Sequence, residues 1–464
     1  MAKVSLIKLL SQVYPDRRDR YGFTILSNSW AVRAIKRGDC DGAKLLIDTK
    51  ALDALLAAQV VLKPKVVSGR QDEYVFLVQK RIRPAVVPSE WSPTMFADAA
   101  KLILDAEKAL CYKDMTVDDP HPWNVLFDEG RPYIVDMGAF NIEGTGLHHP
   151  TQMETKIWPA ASVFNAFFLN AVALAAAGRG HYIRRMLTDW NPFPGSDTAL
   201  LLFKSPAALL LFLQIRFRMF VFNLAWRTTK PLAPSSLKRK LKLAYLDTIS
   251  RYIERMRARI VQRMSNDDTL SVDTSVRPDV IKSFMDQHSS RRLILFGANA
   301  RMTAGILNGS RSARTLVVSP DEELIDVLYR SALTQLTVAV MDLRSPTPGT
   351  GPGNRWILPA TERFKTEVGV FFFDLEELVI EKCLTVSELV QAARDMSDIC
   401  GLIVFKKLTD EISILGRNYG QTSDCVLMAC LEDNLEVFDV LNNNNREMIV
   451  SFSCGKKKQP PHDN

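Results

Sequence analysis

From residue 292 to residue 453 the chain alternates between short runs rich in Val, Ile, Leu and Phe and longer amphipathic runs of helical period, and this alternation constrains the fold most. Strand-like runs occupy 292–296, 315–319, 336–341, 368–373 and 401–405. Helix-like runs occupy 279–288, 300–307, 321–333 and 385–396. Parallel neighbours need a crossover, usually a helix on one face, so the alternation predicts a parallel sheet covered on both faces. The pattern then changes to two runs, 435–440 and 448–453, separated by the Asn-rich turn 442–445. That reads as an antiparallel hairpin closing the sheet.

A chain of 464 residues exceeds what one core usually organises, so two or three domains are expected. The stretch 265–278, SNDDTLSVDTSVRP, lacks large apolar side chains and closes on a proline, which marks it as a linker. It separates the 279–455 domain from an α+β region over 1–150 and a mostly helical region over 151–264. The tail 456–464 is polar and expected to be disordered. Seven dispersed cysteines without a C-x-x-C pair argue for a reducing compartment and against a disulfide framework or structural zinc. Lys3 and Lys8 interrupt the apolar start, so no secretion signal is read there.

Residues 157–178 carry no charge, a length that could span a bilayer, but Pro159, Ser162, Asn165 and Asn170 interrupt them. A second run, 205–213, is short and leads into Arg216 and Arg218. Buried helices are therefore expected rather than a transmembrane span, and the localisation expected is cytoplasmic. Between 237 and 264 lie Lys238, Arg239, Lys240, Lys242, Arg251, Arg255, Arg257, Arg259 and Arg263, against Asp247 and Glu254. Such a helix is either a solvated face or a docking surface for an anionic partner.

Two constellations carry chemistry. In the first region, Asp119 precedes Asn124 by five positions, and the runs 125–127 and 133–135 around Asp128-Glu129-Gly130-Arg131 read as a hairpin that delivers Asp136 and then Gly138. A carboxylate, an amide and a second carboxylate on one loop and hairpin match what phosphoryl transfer needs: a base or orienter and two oxygen ligands for magnesium. The stretch resembles the catalytic loop and metal-binding segment of aminoglycoside-phosphotransferase-like kinases. On that resemblance Asp119 matches the catalytic Asp, Asn124 and Asp136 the Mg2+ ligands, and Lys80 a loose phosphate lysine. Val117 stands where a histidine is usual, and no glycine-rich loop precedes Lys80. The alternative is a relic loop in which Asp119 and Asn124 hold turn backbone and Asp136 caps a strand end.

In the second domain, Gly297 and Ala298 follow the first strand, where small residues let backbone approach a ligand. An antiparallel pair at the end of a parallel sheet is typical of the methyltransferase variant of the Rossmann plan. Together with Glu90-Trp91, the H-P-W-N-V-L-F loop, the segment from Asp136 to Phe140 and D-L-x-S-P-T-P-G from Asp342 to Gly349, it gives a more specific resemblance. The chain resembles bacterial class I methyltransferases of the family that includes the rhizobial nodulation protein NoeA. The resemblance implies a SAM-dependent methyltransferase acting on a saccharide or lipid-saccharide precursor, a nodulation signal among the candidates. It points to Gly297, Asn299, Asp321 and Asp342 as S-adenosylmethionine-binding positions. Ser319 stands where the ribose-binding acid is usual, with Asp321 two residues on, while Leu295 and Arg301 also depart from the pattern. Two alternatives stand beside it: a non-catalytic adaptor with a degenerate cofactor site, and a small-molecule phosphotransferase using Asp119, Asn124 and Asp136.

Overall fold

The computed structural model describes residues 17–18, 22–27, 29–36, 46–67, 74–142, 156–188, 191–229, 233–265, 278–297, 314–331, 336–350, 357–381, 384–407, 413–414, 417–418, 424–443 and 447–454. It divides into two compact units: Met1–Asn266 with Gly351–Trp356, and Asp267–Thr350 with Ile357–Asn464. The sequence-read helix 300–307 and the tail 456–464 lie outside the described residues, as do Asn299 and Arg301.

The first unit opens with β1 (Arg17–Arg18), β2 (Gly22–Leu26), β3 (Trp30–Lys36), β4 (Lys65–Val67) and β5 (Tyr74–Lys80). They form an antiparallel sheet in the order β1-β2-β3-β5-β4. Ile25, Val32, Ala34, Val67 and Phe76 make its buried face, as period-2 alternation requires. Helix Pro93–Leu110 follows, with Ser92 at its N-cap and Pro93 in its first turn. Then come β6 (Met115–Val117), β7 (Val125–Asp128), β8 (Arg131–Ile134) and β9 (Phe140–Ile142), with β6 paired to β9 and β7 to β8. Both central residues of the β7–β8 turn take positive φ, Glu129 at 51° and Gly130 at 76°. This is the turn geometry that matches strand twist in a two-residue hairpin.

The uncharged segment 157–178 forms helices Ala161–Phe164 and Asn170–Ala176 joined by a π-helical turn at Asn165–Leu169. It is buried: Phe164, Phe168, Leu169, Ala171, Val172 and Leu174 are fully enclosed, and the Asn170 amide donates to Phe193 O at 2.6 Å. Two long helices follow, Pro206–Thr229 and Ser235–Ser265. Among the described residues, Pro206–Thr229 is the one helix long and apolar enough to cross a membrane by length and composition.

The second helix is the basic one, and part of its charge is used internally. Lys242 Nζ lies 2.7 Å from Glu107 Oε1, both fully buried, and Arg257 forms a forked pair with Asp98 at 2.6 and 3.2 Å. Glu107 also accepts from Thr116 Oγ1 at 3.0 Å and from Val117 N at 2.6 Å. The buried charge is thereby paired and hydrogen-bonded, the condition under which burial is tolerated.

The second unit contains β10 (Leu293–Phe296), β11 (Thr315–Ser319), β12 (Leu336–Val340), β13 (Thr366–Asp374), β14 (Ser397–Lys406), a small pair β15 (Ser413–Ile414) and β16 (Arg417–Asn418), β17 (Val437–Asn443) and β18 (Glu447–Ser453). Seven of these form one sheet in the order β12-β11-β10-β13-β14-β18-β17. Strands β10 to β14 are parallel, and β18 runs antiparallel between β14 and β17. The parallel strands are apolar nearly throughout, as expected where both faces are covered. Phe296, Phe371, Phe373 and Phe405 pack ring to ring through the core. The sheet is the Rossmann-like, mixed arrangement that the alternation predicted.

Candidate functional site

In an open α/β sheet the strand order reverses at one point, and ligands bind outside the carboxyl ends of the strands there. In the second unit β10 neighbours β11 on one side and β13 on the other, so the reversal falls at the end of β10. Gly297 occupies that position with φ of 72°, and its N–H donates to Val318 O at 2.9 Å. A Cβ placed on Gly297 would stand 2.4 Å from Phe372 O. Glycine is therefore demanded by the neighbouring strand and by its own backbone conformation, whether or not a ligand binds there. A large side chain here would break the sheet before it filled a site.

The remaining strand ends carry polar residues, and most are engaged by their own chain. Ser319 is buried, and its Oγ accepts from Asp321 N at 3.2 Å. Asp321 caps helix Glu322–Arg330, its Oδ1 accepting from Glu323 N at 2.9 Å and Leu324 N at 3.0 Å. The sequence allowed Asp321 to stand in for the ribose acid; the fold gives it a cap, which a helix N-terminus independently favours. Asp342 sits just past β12, half-buried, with Oδ1 accepting from Arg344 N at 2.9 Å. Asp374 ends β13, and its Oδ2 lies 2.9 Å from Lys406 Nζ at the end of β14. The sequence pattern did not single out this pair. The two meet only because β13 and β14 pair in register in the sheet, Asp374 opposite Lys406.

The first unit gathers its residues more tightly. Asn124 Nδ2 donates to Asp119 O at 3.0 Å and to Asp119 Oδ2 at 3.1 Å. Asn124 O accepts from Val135 N at 2.9 Å, beside Asp136, and Asp119 N donates to Ala139 O at 3.2 Å. These backbone bonds bring the chain at Asp119 and Asn124 together with the segment that flanks Asp136, at one junction of the loop and the turn following β8. Asp136 is exposed, and its Oδ1 accepts from Gly138 N at 2.8 Å, capping the short turn Met137–Ala139. With the Asn124 amide N–H directed at Asp119, its Oδ1 is left as an acceptor, which suits a Mg2+ ligand. Among the described residues no cluster of three or more His, Cys, Asp or Glu is placed to hold a metal.

Lys80, the loose phosphate candidate, pairs with Asp128 on β7. A different cation was missed. Arg33 of β3 brings Nη2 to 4.0 Å from where a Cβ of Gly138 would stand. Its proximity to the turn Met137–Ala139 was invisible because Arg33 lies on a strand about a hundred positions earlier in the chain. The loop is also packed from behind. Trp158 Nε1 donates to Val117 O at 3.2 Å, and His121 stacks on Trp123 at 4.5 Å and meets Phe167 of the π turn at 4.3 Å. Burial pushes the His121 imidazole down to about 4, so it is neutral at physiological pH. π turns recur at functional sites, and this one carries Phe167, whose ring meets both His121 and Trp123.

No protein-family model and no curated protein sequence matches the chain. Among solved structures, EvdMO1 aligns at 15% identity over 43% of this chain and 47% of its own, with a TM-score of 0.29. The chain thus spans about half of EvdMO1. The N-terminal domain of EvdMO1 with SAH and D-fucose aligns at 12% identity, over 44% of this chain and 97% of that one, TM-score 0.29. The N-methyltransferase NodS from Bradyrhizobium japonicum WM9, in complex with S-adenosyl-L-homocysteine, aligns at 11% identity over 42% and 95%, TM-score 0.28.

Proposed function

We propose that the second unit is a methyltransferase-like domain that binds S-adenosylmethionine weakly and acts on a saccharide or lipid-saccharide precursor. The observation that carries this is the strand order, with its reversal at Gly297 and its single antiparallel strand. The cofactor, when bound, supplies an electrophilic methyl group. The Gly297 turn would lie against its amino-acid part and Asp342 toward its adenine. The fit is incomplete on the ribose side, where Ser319 is buried and Asp321 is spent on a helix cap. A missing charge-assisted hydrogen bond costs about 1.5–3 kcal/mol, or roughly one to two decades in affinity. The pair Asp374–Lys406 is the candidate for orienting an acceptor hydroxyl, the carboxylate drawing its proton and Lys406 holding the carboxylate in place. The saccharide class rests on the sequence elements shared with the nodulation family.

Calorimetry with S-adenosylmethionine and S-adenosylhomocysteine tests this. The expected Kd is on the order of tens of micromolar, weakened further by Asp342→Ala. Sub-micromolar binding would overturn the incomplete-site argument. No binding at millimolar cofactor, with the sheet intact by circular dichroism, would leave a non-catalytic adaptor.

A second reading is favoured by the junction of Asp119, Asn124 and Asp136 beneath Arg33. This arrangement suits a magnesium-bound phosphate, Asn124 and Asp136 offering oxygens to the metal and Arg33 a guanidinium to the phosphate. Magnesium-ATP should then raise the melting temperature, and Asp136→Asn should abolish the shift. An absent nucleotide effect returns the junction to a purely structural loop.

A further inference from the structure

The helix Pro206–Thr229 is apolar on both sides, yet among the described residues only one side is covered. Ala208, Phe212, Ile215, Met219 and Trp226 are buried against the first unit, and Asn223 Oδ1 accepts from Ile157 N at 3.1 Å. On a 3.6-residue wheel the opposite side carries Leu210, Leu213, Phe217, Phe220, Val221 and Leu224. These are exposed, Phe217 by 67% and Phe220 by 62%. The stripe continues into the preceding turn through Leu200 and Phe203, which are 74% and 75% exposed. A contiguous apolar stripe of this length is a binding surface and not scattered surface apolarity.

The charges flanking the stripe say what covers it. Arg216 and Arg227 lie along one edge and Arg218 along the other, all exposed, while the 24 residues contain no Asp or Glu. Long cationic side chains at the borders of an apolar stripe can lay their stems on it and lift their heads to anionic headgroups. A second copy of the chain seated on the same face would instead oppose these arginines to themselves with no acid on the helix to receive them. Because its inner side is packed onto the first unit, the helix is presented side-on and cannot cross a bilayer alone.

We propose that this face seats the protein on a membrane surface rich in anionic phospholipid, with Pro206–Thr229 lying in the plane of the interface. This is independent of the chemistry assigned to the second unit. It also differs from the sequence expectation, whose candidate surface for an anionic partner was the following basic helix, two of whose cations, Lys242 and Arg257, face Glu107 and Asp98.

The test is flotation of the purified full chain with vesicles of phosphatidylcholine, with and without phosphatidylglycerol. The chain should float with the phosphatidylglycerol vesicles, and less so as salt is raised. The double variant Phe217→Glu/Phe220→Glu should lose at least about tenfold in partitioning, since two apolar side chains no longer enter the interface. Its far-UV circular dichroism and melting temperature should match the parent, because both residues are exposed. Arg216→Gln/Arg227→Gln should remove only the phosphatidylglycerol-dependent part. A chain that floats with neither vesicle overturns the proposal. If that chain is also a dimer by light scattering and Phe217→Glu/Phe220→Glu makes it monomeric, the face is a self-association surface. If partitioning persists in that variant, another surface carries it and the proposal fails.

Discussion

In the first unit the amide of Asn124 donates to Asp119 across five positions, while Asp119 and Asn124 are each tied by backbone to the turn around Asp136. In the second unit Asp321, Asp342 and Asp374 each accept an N–H from two or three positions further along the chain, and Asp374 also pairs with a cation on a neighbouring strand, Lys406. The first arrangement, like the Asp374–Lys406 pair, needs tertiary structure to exist; a carboxylate that accepts the N–H two or three positions on is what any Asp at the start of a turn or helix does. An acid at a strand end is thus a weak marker of a site. An acid, an amide and a second acid brought together from separate elements make a stronger one. The first unit also supports its loop with a buried ion pair, whereas the Asp374–Lys406 pair at the strand ends of the second unit is half-exposed.

The largest expected effect tests that support. Glu107→Ala leaves Lys242 buried and uncompensated and strips acceptors from Thr116 and Val117, which should cost about 3–5 kcal/mol. Six of the seven tryptophans precede residue 230, so urea unfolding followed by tryptophan fluorescence reports mainly on the first unit. An unchanged midpoint there would erase the contrast between the two units.

Next is acid. The folded His121 imidazole is pushed down to about 4, against an ordinary value of 6.5, because it is buried between rings. Between those values the unfolded chain binds the extra proton. Stability is therefore full above about pH 6.5, declines as pH falls, and has lost its whole contribution by about pH 4. The loss is about 3 kcal/mol. His121→Phe should flatten this part of the fluorescence-detected profile, and a profile equally steep in the variant would locate the titration elsewhere.

Two smaller effects probe the second unit. Gly297→Ala meets both the positive φ and Phe372 O, and should cost about 1–3 kcal/mol by far-UV circular dichroism. Asp321→Ala removes a helix cap and should cost about 1 kcal/mol. If Asp321→Ala instead weakens S-adenosylmethionine binding without lowering stability, the carboxylate serves the ribose and the contrast drawn above is sharpened in the other direction.

The second unit's sheet was legible because period and composition agree along each strand. Val317-Val318 and the run Phe371-Phe372-Phe373 have no other comfortable home, and Thr385 with Glu388 spells a capping box that forms as written. Boundaries moved where tertiary pairing extended a run: β14 begins at Ser397, four residues before its apolar stretch, because β13 offers it a partner. In the first unit the hairpin and the loop were legible from Asp128-Glu129-Gly130-Arg131 and the Asp119–Asn124 spacing. Arg33 and the pair Asp374–Lys406 were not, since contacts between distant strands leave no local pattern. The outward face of Pro206–Thr229 was hidden for a different reason. A run of Leu and Phe is equally consistent with a core helix until something is seen to cover it.

The Lys242–Glu107 pair has a consequence for how the chain is made. Alongside it, Lys108 donates to Ser250 Oγ at 2.9 Å across 142 positions. At a synthesis rate of about 5–20 residues per second, the segment carrying Lys242 leaves the ribosome on the order of ten seconds after the helix it closes against. During that interval Glu107 has no lysine to meet, and its carboxylate is held by Thr116 and Val117. A chain cut short before residue 242 would therefore keep every residue of the loop and lack the cation that neutralises the buried carboxylate behind it.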